Sequence, residues 1–224
     1  MGRMVDSVMA RFGLKQYASV TESHRPTQLL VLRYVAFLLA LAVVYWGLEV
    51  TPALYFAQLT HWAALLATGY FAAALAVYGD SSLRPVVYLL HEVALPLQLL
   101  VTSTFWTLMY PFVNLKSGLA YSIAVHGGLL ALVLADYALN QIRFIRSHCL
   151  GLMGLLGAYL LVSVVVTFSV HPIYASLTYK DLSSYLSMAF LGLLAWVAFR
   201  LCEWMDRYKF RETEAELGTV LQDF

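Results

Sequence analysis

The sequence predicts an all-α fold, a polytopic membrane bundle of about six transmembrane helices, and three observations predict it. Of 224 residues, 61% are apolar and only 12% charged, against about 25% charged in a water-soluble domain. Apolar stretches of roughly 20 residues, long enough to cross about 30 Å of hydrocarbon, recur along the chain. None alternates polar and apolar residues as a strand of a closed barrel does.

The first span is Gln28–Glu49. Thr51-Pro52, a capping residue followed by a proline suited to the first helical position, separates it from Ala53–Tyr78. Gly79-Asp80-Ser81-Ser82 interrupts the chain before Val87–Tyr110, and Tyr110-Pro111 interrupts it before Leu119–Ile142. Arg143 to His148 precede Cys149–Val170, and His171-Pro172 through Asp181 precede the last span, Ser183–Trp204. The chain thus divides into an N-terminal segment 1–27, a membrane domain 28–205 and a charged tail 206–224.

An even number of spans puts both termini on one face. That face carries Arg3, Arg11, Lys15, Arg25, Arg84, Arg143, Arg146, Arg207, Lys209 and Arg211, and the opposite loops carry Lys116 and Lys180. The asymmetry predicts termini on the cytosolic or matrix side, in the endoplasmic reticulum, the plasma membrane or the mitochondrial inner membrane. The first 27 residues hold no secretory-type apolar core. Val5, Val8, Met9 and Phe12 fall instead at helical spacing among Arg3, Arg11 and Lys15, as in a helix lying on a membrane surface.

Several chemistries lack support. No basic patch interleaved with aromatics points to nucleic acid. No CxxC is present, and His91-Glu92 lacks the second histidine of a zinc-binding HExxH, so neither a metal nor a cofactor is expected. Cys149 and Cys202 both fall near the inner face, where a disulfide is not expected.

Ionisable groups inside a membrane need a partner, a cavity or a function. Arg33, Glu92, Asp136 and Arg200 lie at matched depth near the inner face. Two charges of each sign predict a buried ion-pair layer holding four helices in register. A proton path would need carboxylates at several depths. The outer half carries neutral groups. With a second helix beginning at Pro52, Thr60 and His126 both lie roughly 10–12 Å deep. A Thr hydroxyl beside an imidazole can act as a nucleophile and a general base; the reading that spacing alone favours is packing, each bonded to backbone or to a neighbouring helix. His61 points about 100° away from Thr60 and is expected at the lipid interface or against a neighbour. Gly151, Gly154, Gly157 and Ala158 form a stripe expected to permit close helix approach.

Four segments carry a family resemblance. Leu59-Thr60-His61-Trp62 opens a span that ends near Asp80, and Ala94-Leu95-Pro96-Leu97 runs on to Phe105-Trp106 and Tyr110-Pro111. His126 is followed ten residues later by Asp136, and Ile173-Tyr174 precedes the last span. Together, over residues 29–205, they resemble the androgen-induced-gene and Rolling-stone-like families of six-pass membrane proteins. The sequence departs from the pattern at Gly127-Gly128-Leu129, where relatives carry a second histidine, and at Ala175, where they carry proline.

The androgen-induced-gene branch comprises threonine hydrolases of fatty-acid esters of hydroxy fatty acids. The resemblance therefore implies Thr60 as nucleophile and His126 as base, acting on membrane lipids or fatty-acid esters. Asp136, about 15 Å along the helix from His126, is too far to orient that imidazole; Tyr110, Tyr121 and Ser122 are the other candidates. Against the hydrolase stands a non-catalytic scaffold, a lipid-binding or accessory subunit among other membrane proteins. A transporter finds no repeat or broken-helix signal.

Overall fold

The computed structural model describes residues 19–110, 118–170, 173–174 and 177–211. The amphipathic pattern at Val5 to Phe12, Lys116, His171, Ala175 and the tail beyond residue 211 lie outside these residues. Among the described residues the chain is helical, with six helices long and apolar enough to cross a membrane. They are α1 (Pro26–Val50), α2 (Leu59–Ala76), α3 (Arg84–Thr104), α4 (Leu119–Leu139), α5 (Cys149–Ser169) and α6 (Leu182–Lys209).

Helix α3 is the centre of the bundle. It packs against α2, α4, α5 and α6, while α1 packs against α2 and α4. Its residues from Val87 to Val101 are mostly buried, including Pro96. Proline removes the donor to the Glu92 carbonyl, a defect that surrounding helices accommodate. Helices α1, α5 and α6 instead turn large apolar side chains outward, among them Leu38, Leu161 and Leu193.

Helix ends differ from the expected spans where side chains redirect the backbone. Residues Pro52–Ala57 form a 3₁₀ segment, and Gln58, in extended conformation, separates it from α2. Thr60 is therefore the second residue of its helix, not a residue two turns deep. Helix α4 stops at Leu139 because Asn140 is extended: its amide donates to Asp136 Oδ2 at 2.8 Å and its oxygen accepts from Ile142 N–H at 2.9 Å. Helix α6 runs past Trp204 to Lys209, and Asp181 caps its start by accepting from Ser184 N–H at 2.9 Å. Hydrogen bonds from Ser183 and Ser184 hold the Asp181 carboxyl at about 2, below the ordinary carboxylate value.

Two π-helical turns, each widened by one residue, break the regularity of the bundle: Phe105–Met109 prolongs α3, and Ala124–Gly128 interrupts α4. Such turns re-aim side chains and concentrate at functional sites.

The small-residue stripe of α5 is not a close contact. A Cβ at Gly154 or Gly157 meets nothing within 4 Å, and one at Gly151 meets Leu89 and Val93 at an ordinary 3.5 Å. The close approach occurs in α1, where a Cβ at Gly47 would stand 2.5 Å from Tyr121 Oη and 2.8 Å from a Tyr55 ring carbon. Gly47→Ala is therefore expected to destabilise the bundle by about 1–3 kcal/mol, the usual cost of overpacking, whereas Gly154→Ala leaves the thermal-shift midpoint unchanged.

Candidate functional site

The start of α2 is built around three consecutive carbonyls that side chains satisfy, the first of which also accepts from Gln58 N–H at 3.5 Å. Tyr55 O accepts from His61 Nδ1 at 2.8 Å, Phe56 O from Trp62 Nε1 at 2.7 Å and Ala57 O from Tyr159 Oη at 3.1 Å. In an apolar bundle each would otherwise cost several kcal/mol.

Of the two places expected for His61, the structure shows the contact with neighbours and not the lipid interface. The ring is buried, stacks on Tyr55 with centroids 4.1 Å apart, and meets Tyr121 Oη at 2.9 Å through Nε2. A carbonyl only accepts, so Nδ1 carries the proton, and Tyr121 donates to Nε2. Both ring nitrogens of His61 are thereby engaged, and Tyr121, one of the groups considered for orienting His126, is engaged with them.

Thr60 is left differently. Thr68, Ser103 and Thr107 donate their hydroxyls to the carbonyl four residues earlier, at 2.8, 2.7 and 2.7 Å. Four residues before Thr60 stands Phe56, outside the helix, whose carbonyl receives the Trp62 indole. The Thr60 side chain lines a cavity of about 570 Å³, within the range of small-molecule sites.

His126 lines the same cavity, carried there by the π-helical turn of α4. Its ring stacks on Phe105, centroids 3.7 Å apart and planes 7° from parallel. Nδ1 is buried without a hydrogen-bond partner. Tyr159, Tyr174 and, from α6, Phe190 and Leu194 complete the wall, which is largely apolar. Leu108 and Phe190, on its rim, are 46% and 48% exposed on the outer surface of the bundle. Thr60 and His126 thus share one cavity in the half of the bundle away from the termini.

The four ionisable groups do not form one ion-pair network. Arg33 Nε donates to Asp136 Oδ1 at 2.8 Å with both side chains fully buried, and Tyr70 and Asn140 donate to Oδ2. Glu92 accepts from Ile145 N–H and pairs with His148. Arg200, partly exposed, pairs with Glu203 one turn on along α6. The reason lies in residues 141–145, a non-helical link between α4 and α5. Glu92 serves its Ile145 N–H, Asp206 serves Phe144 N–H, and Tyr88 donates to the Arg143 carbonyl. Lys209 donates to the Tyr137 and Asn140 carbonyls at the end of α4. The sequence reading missed His148, Glu203, Asp206 and Lys209 as partners; their positions near span ends offered the only signal.

Cys149 and Cys202 are free thiols. Among the described residues no group of three or more His, Cys, Asp or Glu is placed to hold a metal ion.

Breaking the Arg33–Asp136 pair leaves a buried charge uncompensated, so Asp136→Ala is expected to cost about 3–5 kcal/mol of stability. Arg200→Ala, at a partly exposed pair, costs about 0–1 kcal/mol. Equal losses in denaturation of the two variants would contradict this division. Compared with known proteins, the chain matches no family model, no curated protein and no solved structure.

Proposed function

We propose that the chain is an integral, multi-pass membrane hydrolase of lipid esters, of the type that cleaves fatty-acid esters of hydroxy fatty acids. Thr60 is the nucleophile and His126 the base. The observation that carries this reading is that two residues 66 positions apart in sequence, on different helices, line one apolar cavity whose rim faces the surface where lipid chains would lie. The charge asymmetry supports termini on the cytosolic or matrix side.

In the first half-reaction the ester carbonyl lies at Thr60 Oγ. His126 takes the hydroxyl proton as Oγ bonds to the acyl carbon, then gives that proton to the departing alkoxide as the C–O bond breaks, releasing an alcohol. Water reverses the sequence: it attacks the acyl-threonine, its proton passes through His126 to Thr60 Oγ, and a fatty acid leaves. The Thr60 N–H, in the first turn of α2, belongs to the set of helix-start donors without an intrahelical acceptor. Together with the positive end of the helix dipole it would stabilise developing negative charge on the carbonyl oxygen. His61 holds the preceding segment and takes no proton.

Purified wild type is expected to hydrolyse a branched fatty-acid ester of a hydroxy fatty acid, and Thr60→Ala and His126→Ala, still folded by thermal shift, to lose activity by about a thousandfold or more. A folded wild type inert across a panel of lipid esters would overturn the hydrolase, and its co-purification in a stable assembly would identify the scaffold instead.

A further inference from the structure

In other nucleophile and base pairs a third residue orients the imidazole by accepting from its Nδ1 and stabilises the imidazolium formed during turnover. Here Nδ1 of His126 is buried and has no hydrogen-bond partner. Of the polar groups that sequence position offers for the task, Tyr121 is engaged with His61 at 2.9 Å, neither Tyr110 nor Ser122 bonds to Nδ1, and Asp136, already too far along the helix, is engaged with Arg33, Tyr70 and Asn140.

What meets the His126 ring is an aromatic face. Phe105 lies parallel to it at 3.7 Å, and both residues are 7% exposed. The two reach each other through the two irregular turns of the bundle, Phe105 opening the π-helical turn of α3 and His126 lying within that of α4. Trp106 meets Phe105 edge-on at 5.0 Å with planes at 83°, which fixes the phenyl ring in turn. Both Phe105 and His126 line the cavity.

We propose that Phe105 is the positioning residue for His126, its ring face replacing the hydrogen-bonding third member of the catalytic set. The assignment rests on the hydrolase reading above. Stacking holds the imidazole plane so that the ring nitrogen other than Nδ1 serves the cavity. The negative face of the phenyl quadrupole attracts a cation within about 6 Å of its centroid, an attraction that grows when His126 has taken the Thr60 proton. A buried carboxylate in this apolar wall would itself require a partner; an aromatic face requires none.

The test measures kcat and KM of ester hydrolysis for wild type, Phe105→Leu, Phe105→Tyr, His126→Ala and the double variant Phe105→Leu/His126→Ala, with thermal midpoints of each. Phe105→Leu is expected to lower kcat roughly tenfold with KM within about twofold. Phe105→Tyr, which keeps the face, stays within about threefold of wild type, and the double variant is no slower than His126→Ala. Wild-type kcat in Phe105→Leu, or an equal slowing on the His126→Ala background, overturns the assignment. Where His126→Ala leaves no measurable rate, the kcat loss in Phe105→Leu and its recovery in Phe105→Tyr decide. An active wild type with an inactive Thr60→Ala and an unaffected Phe105→Leu refutes only the role of Phe105; an inert wild type refutes the hydrolase reading and this assignment together.

Discussion

Wherever the backbone leaves the helix inside an apolar bundle, its N–H and C=O groups must be satisfied by side chains, because hydrocarbon offers no alternative. Two such stretches dominate this structure. The segment Pro52–Ala57 has carbonyls taken by His61, Trp62 and Tyr159. The link after α4 has its polar groups taken by Asn140, Glu92, Asp206 and Tyr88. The buried His61, Glu92, Asn140 and Asp206 are spent on this task.

That constraint also sets apart the residues it does not use. The first stretch ends at Gln58, so α2 begins with Thr60 in its second position, beyond reach of a helical i−4 carbonyl and on the cavity wall. In α4 the extra residue of the π-helical turn accompanies His126 onto the same wall, against Phe105. Both π-helical turns therefore contribute residues to the cavity wall. Positions that break local regularity without a stabilising return are where function is to be sought.

The spans were legible because each needs about 20 apolar residues, and Pro52, Gly79 and Arg143 lie at or near their breaks; that Asn140 ends α4 early was not. Matched depth grouped Arg33 and Asp136 with Glu92 and Arg200 without saying which pairs with which; Arg33 meets Asp136. Matched depth failed for Glu92 and Arg200, because their partners are a loop N–H with His148, and Glu203 along the same helix; depth says nothing of rotation about a helix axis. The start of α2 was misplaced because Thr51-Pro52 is a good helix start, and only the tertiary bonds of His61, Trp62 and Tyr159 reveal the 3₁₀ segment. The π-helical turns have no sequence signal at all, yet they bring His126 and Phe105 face to face. Thr60 and His126 were paired by their matched depth, which alone favoured packing; the catalytic reading came from the family resemblance.

The most direct test of a reactive Thr60 needs no knowledge of the natural ester. Membranes containing the full chain are treated with a long-chain alkyl fluorophosphonate, and the modified residue is mapped by peptide mass spectrometry. The account predicts a phosphonyl adduct on Thr60 that a fatty-acid ester blocks and that His126→Ala abolishes. An unmodified Thr60, or an adduct that forms equally well without His126, would contradict it.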